Sequence, residues 1–193
     1  AIIIDVDGTL IENKMDAVPS AEVADAVKKA SRLIHVGIAT QRPLFYARPI
    51  LEYLKLSGPS IIAGGAQVID SETLEVLREE LMDIEDLKKI IKIVKEFKKK
   101  HNLKFTIQDT GGEDREFTND YIPNKIIEVA LFSLESEVAD QLKHTLSKLT
   151  NLSVHKVTSW ELGRFGVVIT QALATKQHGI LEVARILNID TRE

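Results

Sequence analysis

The sequence predicts an α/β protein in which a parallel-sheet domain is interrupted by a smaller α+β unit. Three observations support this prediction. Short apolar runs alternate with amphipathic segments of helical length in the first part of the chain. After about residue 70 the predicted strands lie closer together, as in a partly antiparallel sheet. The 193 residues suffice to bury the core of one large domain or two small ones.

The first 65 residues follow the order strand, helix, strand, helix, strand. Residues 2–4 are three isoleucines, which are typical of a strand that is apolar on both faces. Ser20 is suited to cap a helix that runs to about Leu33, and Pro43 fits the start of the next helix. The other two strands are predicted at residues 35–40 and 60–63. This order predicts parallel strands joined by right-handed crossovers.

The middle of the chain predicts the inserted α+β unit. Asp83 is suited to cap a long helix, and the helices are expected at residues 84–100 and 135–149. Strands are expected near residues 72–80, 105–108, 125–133, 152–157 and 165–170. A last helix follows Lys176. We therefore expect a first domain of residues 1–70 and 167–193, and an insert of residues 71–166.

Composition excludes several classes of function. The chain has no cysteine, so thiolate catalysis and disulfides are excluded, and its five histidines show no metal-ligand spacing. A net charge of −4 argues against a nucleic-acid partner, and the lysines of residues 84–100 indicate a solvated helix face. No apolar run reaches the roughly 20 residues of a membrane span. We expect a cytoplasmic protein without nucleic-acid or membrane partners.

The most informative stretch is the end of the first strand, which reads Asp5-Val6-Asp7-Gly8-Thr9. Ligands of open α/β sheets bind at the carboxyl ends of the strands, where Asp5 and Asp7 emerge. Two carboxylates beside a tight Gly-Thr turn suit a divalent metal and a phosphoryl group. The alternative interpretation is a strand that ends in solvated aspartates.

Two later residues are candidate partners of this motif. Thr40 ends the second strand at the same sheet edge, where its hydroxyl and the following N–H are suited to bind phosphate oxygens. Lys176 begins the last helix, where its ammonium is suited to screen Asp5 and a phosphate. Taken singly, a structural threonine and a surface lysine are the alternatives. We expect Asp5, Thr40 and Lys176 to converge.

The aspartate motif resembles the first motif of the haloacid dehalogenase superfamily. Thr40-Gln41-Arg42 resembles its second motif, Lys176 its third, and the position of the insert resembles the Cof-type branch. This resemblance implies a Rossmann-like core with an inserted α/β cap domain. It also implies Mg²⁺-dependent hydrolysis of small phosphorylated metabolites, such as sugar phosphates or phosphoglycolate.

The resemblance also assigns roles to residues. Asp5 is the expected nucleophile, and Asp7 the general acid and base. Both are expected to bind Mg²⁺, Asp5 through its carboxylate and Asp7 through its backbone carbonyl. The residues expected to contact the substrate phosphate are Thr40, Gln41, Arg42 and Lys176.

The sequence departs from the family pattern in three places. Gln41 replaces a glycine, and Gly64 replaces an asparagine. The acidic Gly-Asp-x-x-x-Asp motif, expected after the Lys176 helix, is not in this chain. We interpret the acidic residues Glu113, Asp114 and Asp120 as part of a loop in the insert. We therefore expect a fragment with an exposed apolar edge at residues 1–4, weak Mg²⁺ binding and slow turnover.

Three other functions remain open. A phospho-accepting receiver domain also uses Asp, Thr and Lys on a parallel sheet, although it lacks such an insert. A catalytically inactive binding domain would explain the missing acidic motif. A phosphotransferase or mutase would pass the phosphoryl group to a second sugar instead of water. The expected oligomeric state is a monomer or a homodimer.

Overall fold

The computed structural model describes residues 1–109, 114–117 and 123–191, which form two compact units. The first unit comprises Ala1–Glu80 and Ala174–Glu193, and the second comprises Leu81–Leu173. The strands of the first are β1 (Ile2–Asp5), β2 (Val36–Ala39), β3 (Pro59–Ile62), β4 (Gln67–Asp70) and β5 (Val76–Glu79). Those of the second are β6 (Lys104–Asp109), β7 (Asp114–Glu116), β8 (Ile126–Leu134), β9 (Leu152–Thr158) and β10 (Phe165–Gln171). The helices are α1 (Ala21–Ala30), α2 (Leu44–Leu54), α3 (Ile84–Lys98), α4 (Ser136–Leu146) and α5 (Lys176–Ile186).

The sheet of the first unit has the order β1-β2-β3-β4-β5. Its first three strands are parallel, with Asp5 opposite Ala39 and Ala39 opposite Ile61. The strands β4 and β5 add to it in antiparallel pairs. The α/β class predicted from the sequence is therefore confirmed, with a parallel part that carries the carboxyl ends of β1 and β2 at one edge.

Helices cover both faces of this sheet, which explains the apolar runs of its strands. On one face, Ile38 and Ile62 pack in a buried cluster with Val27 of α1 and Leu51 of α2. On the other face, Ala39, Ile61 and Val68 pack against Val183 of α5. Burial on both faces leaves no room for alternating polar residues.

One detail of the first unit differs from the expectation, and a second agrees with it. The helix α1 is capped by Ser20, whose hydroxyl accepts a hydrogen bond from the Val23 N–H at 3.3 Å, but it ends at Ala30. Leu33 therefore lies beyond the helix and is 86% exposed. The strand β1 is the first in the order of the described strands, and Ile2 is 46% exposed. The expectation of an apolar edge at residues 1–4 agrees with this position of β1 among the described strands.

The second unit consists of an antiparallel sheet with the order β7-β6-β8-β10-β9. All of its described strand pairs are antiparallel, rather than partly so. Leu87 and Ile90 of α3 and Leu142 of α4 belong to the same buried cluster as Val129 and Val167 of the sheet. Asp83 caps α3 as predicted, because its side chain accepts a hydrogen bond from the Glu85 N–H at 2.7 Å.

The unit boundaries lie later than the expected ends at residues 70 and 166. The strand β4, which the sequence analysis missed, and β5 extend the first sheet up to Glu80. At the other end, β10 pairs with both β8 and β9, so it belongs to the second unit as a whole. Because strands that are hydrogen-bonded to each other belong to the same unit, the boundaries lie after Glu80 and after Leu173.

The acidic stretch of the insert is described only in part. Asp114 begins the strand β7, so this residue lies in a strand and not in a loop as expected. Glu113 and Asp120 lie outside the described residues. Within the described residues, none of the helices combines the length and apolarity required to cross a bilayer.

Candidate active site

The end of β1 positions two aspartates on either side of Val6. The Val6 carbonyl accepts hydrogen bonds from the Leu10 N–H at 2.9 Å and from the Thr9 and Ile11 N–H groups at 3.2 Å. This tight turn is closed with Gly8 at φ +77°, a conformation that favours glycine. The Val6 N–H donates to Oδ1 of Asp5 at 3.0 Å. The turn therefore holds the Asp5 carboxylate at the tip of the strand.

Lys176 reaches Asp5 from the start of α5. Thr175 caps this helix by accepting a hydrogen bond from the His178 N–H at 3.2 Å. The Lys176 Nζ then lies 2.6 Å from Oδ1 of Asp5, although 171 residues separate the two in sequence. The two side chains are 37% and 53% exposed, so solvent screens the pair and its contribution to stability is small. Its significance is chemical, because it sets a cation beside the carboxylate.

Thr40 lies one residue beyond β2, whose last residue Ala39 is opposite Asp5. The threonine is fully buried, and its Oγ1 accepts a hydrogen bond from the Arg42 N–H at 3.0 Å. Its own N–H donates to the Ile61 carbonyl at 3.0 Å. The main chain thus places Thr40 next to Asp5 at the same sheet edge.

Arg42 contacts Asp7. The guanidinium donates from Nη2 to Oδ1 of Asp7 at 2.7 Å and from Nε to Oδ2 at 3.0 Å. The arginine side chain is 3% exposed and that of Asp7 is 28% exposed. The motif around Thr40 predicts Arg42 on the substrate phosphate and gives no indication of this ion pair, which joins residues 35 apart.

Gln41 occupies the space above Gly64. A Cβ added to Gly64 would lie 2.5 Å from Nε2 and 2.8 Å from Oε1 of Gln41. The family pattern has a glycine at position 41 and an asparagine at position 64. In this chain the Gln41 amide fills the space that a side chain at position 64 would need. A carboxamide lies beside this turn, and it comes from residue 41.

We expect Gly64→Asn to cost more stability with Gln41 present than with a shorter residue at position 41. Asn adopts the φ of +66° seen at Gly64 more readily than most residues, but its Cβ collides with the Gln41 amide. Chemical denaturation should show a loss of about 1–2 kcal/mol for Gly64→Asn, and a smaller loss in a Gln41→Gly background. As a control, Gly8→Asn has open space around its Cβ and should show no such coupling. Equal losses in both backgrounds would show that Gln41 does not fill this space.

The turn that contains Gly64 also contacts the start of α5. Residues Ala63–Gly65 form a 3₁₀ turn after β3. A Cβ on Gly65 would lie 2.2 Å from both the carbonyl carbon and the carbonyl oxygen of Thr175, the residue before Lys176. In the sequence, Gly64 stands out only because it replaces an asparagine of the family pattern. The signal that could have identified the contact is the paired glycine after a buried strand.

A magnesium ion fits the oxygens at the end of β1 in part. The described residues hold no group of three or more acidic or histidine side chains suited to a metal. Mg²⁺ commonly keeps several waters, however, and uses only one or two protein carboxylates together with substrate phosphate oxygens. The Asp5 carboxylate and the Asp7 carbonyl are suited to this minimal set.

Comparison with known proteins agrees with this architecture. A family model described as haloacid dehalogenase-like hydrolase matches residues 2–193. A haloacid dehalogenase-like hydrolase from B. subtilis has a similar structure, with a TM-score of 0.76 and 18% identity over 99% of this chain and 80% of that chain. No curated protein gave a significant match.

Two further structures are similar. The phosphatase BT1666 from Bacteroides thetaiotaomicron has a TM-score of 0.72 and 19% identity over 97% of this chain and 72% of its own. The subclass IIB sugar phosphatase BT4131 has a TM-score of 0.72 and 17% identity, over 99% of this chain and 77% of its own. At these identities the similarity shows a shared fold.

Proposed function

The chain belongs to the haloacid dehalogenase-like hydrolase family, and on this basis we propose that it is a Mg²⁺-dependent phosphatase of small phosphorylated metabolites. The observation that carries the proposal is the pairing of Asp5 with Lys176 at 2.6 Å at the carboxyl end of β1. Asp7 and Thr40 lie at the same sheet edge. Nucleophile, cation and hydroxyl are together the groups that phosphoryl transfer requires.

The nucleophile in this proposal is Oδ2 of Asp5. Lys176 and the Val6 N–H both bond to Oδ1, and among the described residues no hydrogen bond to Oδ2 is found. Oδ2 attacks phosphorus, so that a bond from this oxygen to phosphorus forms while the ester P–O bond breaks. The ammonium of Lys176 offsets the negative charge of the carboxylate and the incoming phosphate.

Asp7 moves protons in both halves of the reaction. It protonates the departing alcohol oxygen in the first step, which makes the alcohol a better leaving group. It then takes a proton from water, whose oxygen attacks the aspartyl phosphate and releases inorganic phosphate with Asp5 restored. The Asp5 carboxylate and the Asp7 backbone carbonyl would hold Mg²⁺, which neutralises phosphate charge when it is bound.

The proposed substrates are monoesters such as sugar phosphates or phosphoglycolate, present in the cytoplasm. The family relationship supports phosphate ester hydrolysis, and similarity to a structure named as a sugar phosphatase supports the sugar phosphates. A second candidate is an inactive binding domain of the same family. The described residues hold no group of three or more acidic or histidine side chains suited to a metal, which favours this second candidate.

Hydrolysis of p-nitrophenyl phosphate separates these functions. A phosphatase releases many phosphates per chain in Mg²⁺ and stops when EDTA removes the metal, even if turnover is slow. A receiver domain labels itself at most once, and an inactive domain releases none. The Asp5→Asn variant is the control for contaminating phosphatases. Turnover that Asp5→Asn abolishes but EDTA does not would contradict the metal dependence, and a wild-type rate no higher than that of Asp5→Asn would contradict the proposal.

A further inference from the structure

Arg42 is held by hydrogen bonds from both its side chain and its main chain. Its Nε donates to both carboxylate oxygens of Asp7, at 3.2 Å and 3.0 Å, and Nη2 donates to Oδ1 at 2.7 Å. This forked geometry fixes the plane of a carboxylate, whereas a single hydrogen bond leaves it free to rotate. The side chain of Arg42 is 3% exposed.

The other side of the guanidinium holds the loop that follows Asp7. Nη1 donates to the Met15 carbonyl at 2.9 Å and Nη2 donates to the Lys14 carbonyl at 2.6 Å. A buried guanidinium is costly unless its donors are satisfied, and here carboxylate and carbonyl oxygens satisfy them. Arg42 therefore ties Asp7 and residues 14–15 to the end of β2.

The main chain of Arg42 is held as well. Its N–H donates to Oγ1 of Thr40 at 3.0 Å, and its carbonyl accepts a hydrogen bond from the Ala63 N–H at 2.9 Å. Because the main chain of Arg42 is fixed and its guanidinium group makes several hydrogen bonds to Asp7, the position of the Asp7 carboxylate is fixed as well. The orientation of Asp7 thus depends on the loop after β2.

We propose that Arg42 is a positioning residue that acts through Asp7, by aiming the carboxylate that exchanges protons with the leaving group and with water. This inference rests on the proposed function and adds a residue to it. Proton transfer requires the carboxylate within hydrogen-bond reach of the departing oxygen, and a carboxylate free to rotate spends little time there. Arg42 does not contact the substrate phosphate in this proposal.

The test compares two substrates whose leaving groups differ. p-Nitrophenol departs readily without a proton, whereas the alcohol of glycerol 3-phosphate needs one. We expect Arg42→Ala and Arg42→Lys to lower kcat/KM, which reports the step in which the alcohol departs, about tenfold more for glycerol 3-phosphate than for p-nitrophenyl phosphate. The inhibition constant of inorganic phosphate should change less than about twofold, because the phosphate site is untouched.

Three controls make this test specific. Asp7→Asn should show the same dependence on the leaving group, and adding Arg42→Ala to it should cause no further discrimination between the substrates. Arg48→Ala removes an exposed arginine of α2 and should leave the activity on both substrates unchanged. Guanidinium chloride at low concentration should partly restore the glycerol 3-phosphate activity of Arg42→Ala. A variant that has lost activity because it is misfolded would not be restored in this way.

Different failures have different meanings. Equal losses of kcat/KM on the two substrates, or a large rise in the inhibition constant of phosphate, would overturn the positioning role in favour of a phosphate contact or a structural one. If Arg42→Ala does not fold, as judged by thermal melting, Arg42→Lys decides the question, because it retains the charge and loses the fork. A wild-type chain that releases no phosphate from either substrate would instead overturn the proposed function.

Discussion

Replacing Asp5 with asparagine is expected to abolish multiple turnover, lowering kcat for phosphate esters by about 10³-fold or more. The amide nitrogen and oxygen of asparagine do not form the acyl phosphate that Oδ2 of Asp5 forms. The side chains are nearly isosteric, and the carboxylate is 53% exposed, so the substitution leaves no cavity and no buried charge. The loss should therefore appear in activity and not in folding.

Two measurements on the same protein check this expectation. Steady-state phosphate release gives kcat, and acid quenching with radiolabelled substrate traps the phosphorylated chain, which Asp5→Asn should not form. Thermal melting should place the variant within a few degrees of the wild type. Asp25→Asn, on the exposed side of α1, is the matched control and should retain full activity. Retained turnover in Asp5→Asn would remove this residue from its role.

Replacing Gly65 with alanine is expected to destabilise the first unit by about 3 kcal/mol or more. Two costs add at this position. Gly65 has φ +107°, which side chains rarely adopt, and its new Cβ would lie 2.2 Å from the Thr175 carbonyl carbon and oxygen. The backbone must shift to relieve this overlap, since no flexible side chain is involved.

Gly8→Ala separates the two costs. Gly8 has φ +77°, and an added Cβ there meets nothing within 4 Å. Its substitution should cost only the conformational term, about 1–2 kcal/mol, as measured by urea denaturation of both variants. We also expect Gly65→Ala to weaken the contact between Lys176 and Asp5, because the residue displaced is the cap of α5. Equal stability losses in the two variants would show that the close approach of Thr175 does not matter.

Local signals predicted most elements of the first unit. The strands at residues 36–39 and 59–62 were recognisable because burial on both faces requires an apolar run, and residues 2–4 because three isoleucines favour a strand. The caps Ser20 and Asp83 were recognisable because their side chains act within three residues. The strand β4 was missed, since four residues directly after a glycine turn carry little periodicity of their own.

The unit boundaries needed information that is not local. The strand β10 has the apolar composition expected of either sheet, and only its pairing with β8 and β9 assigns it to the second unit. Strand composition reports burial but not the identity of the neighbouring strand. For this reason the expected boundaries at residues 70 and 166 both lay too early.

The sequence by itself determined which residues stand at the strand ends, because a glycine turn after an apolar run is encoded by neighbouring residues. It therefore indicated Asp5, Asp7 and Thr40 as candidates, and the start of the last helix indicated Lys176 as the residue that screens Asp5. Tertiary structure alone decided two other pairings, Arg42 on Asp7 and the Gln41 amide above Gly64. These contacts join residues distant in the chain, and their geometry follows from how the strands and helices pack, which no local pattern records.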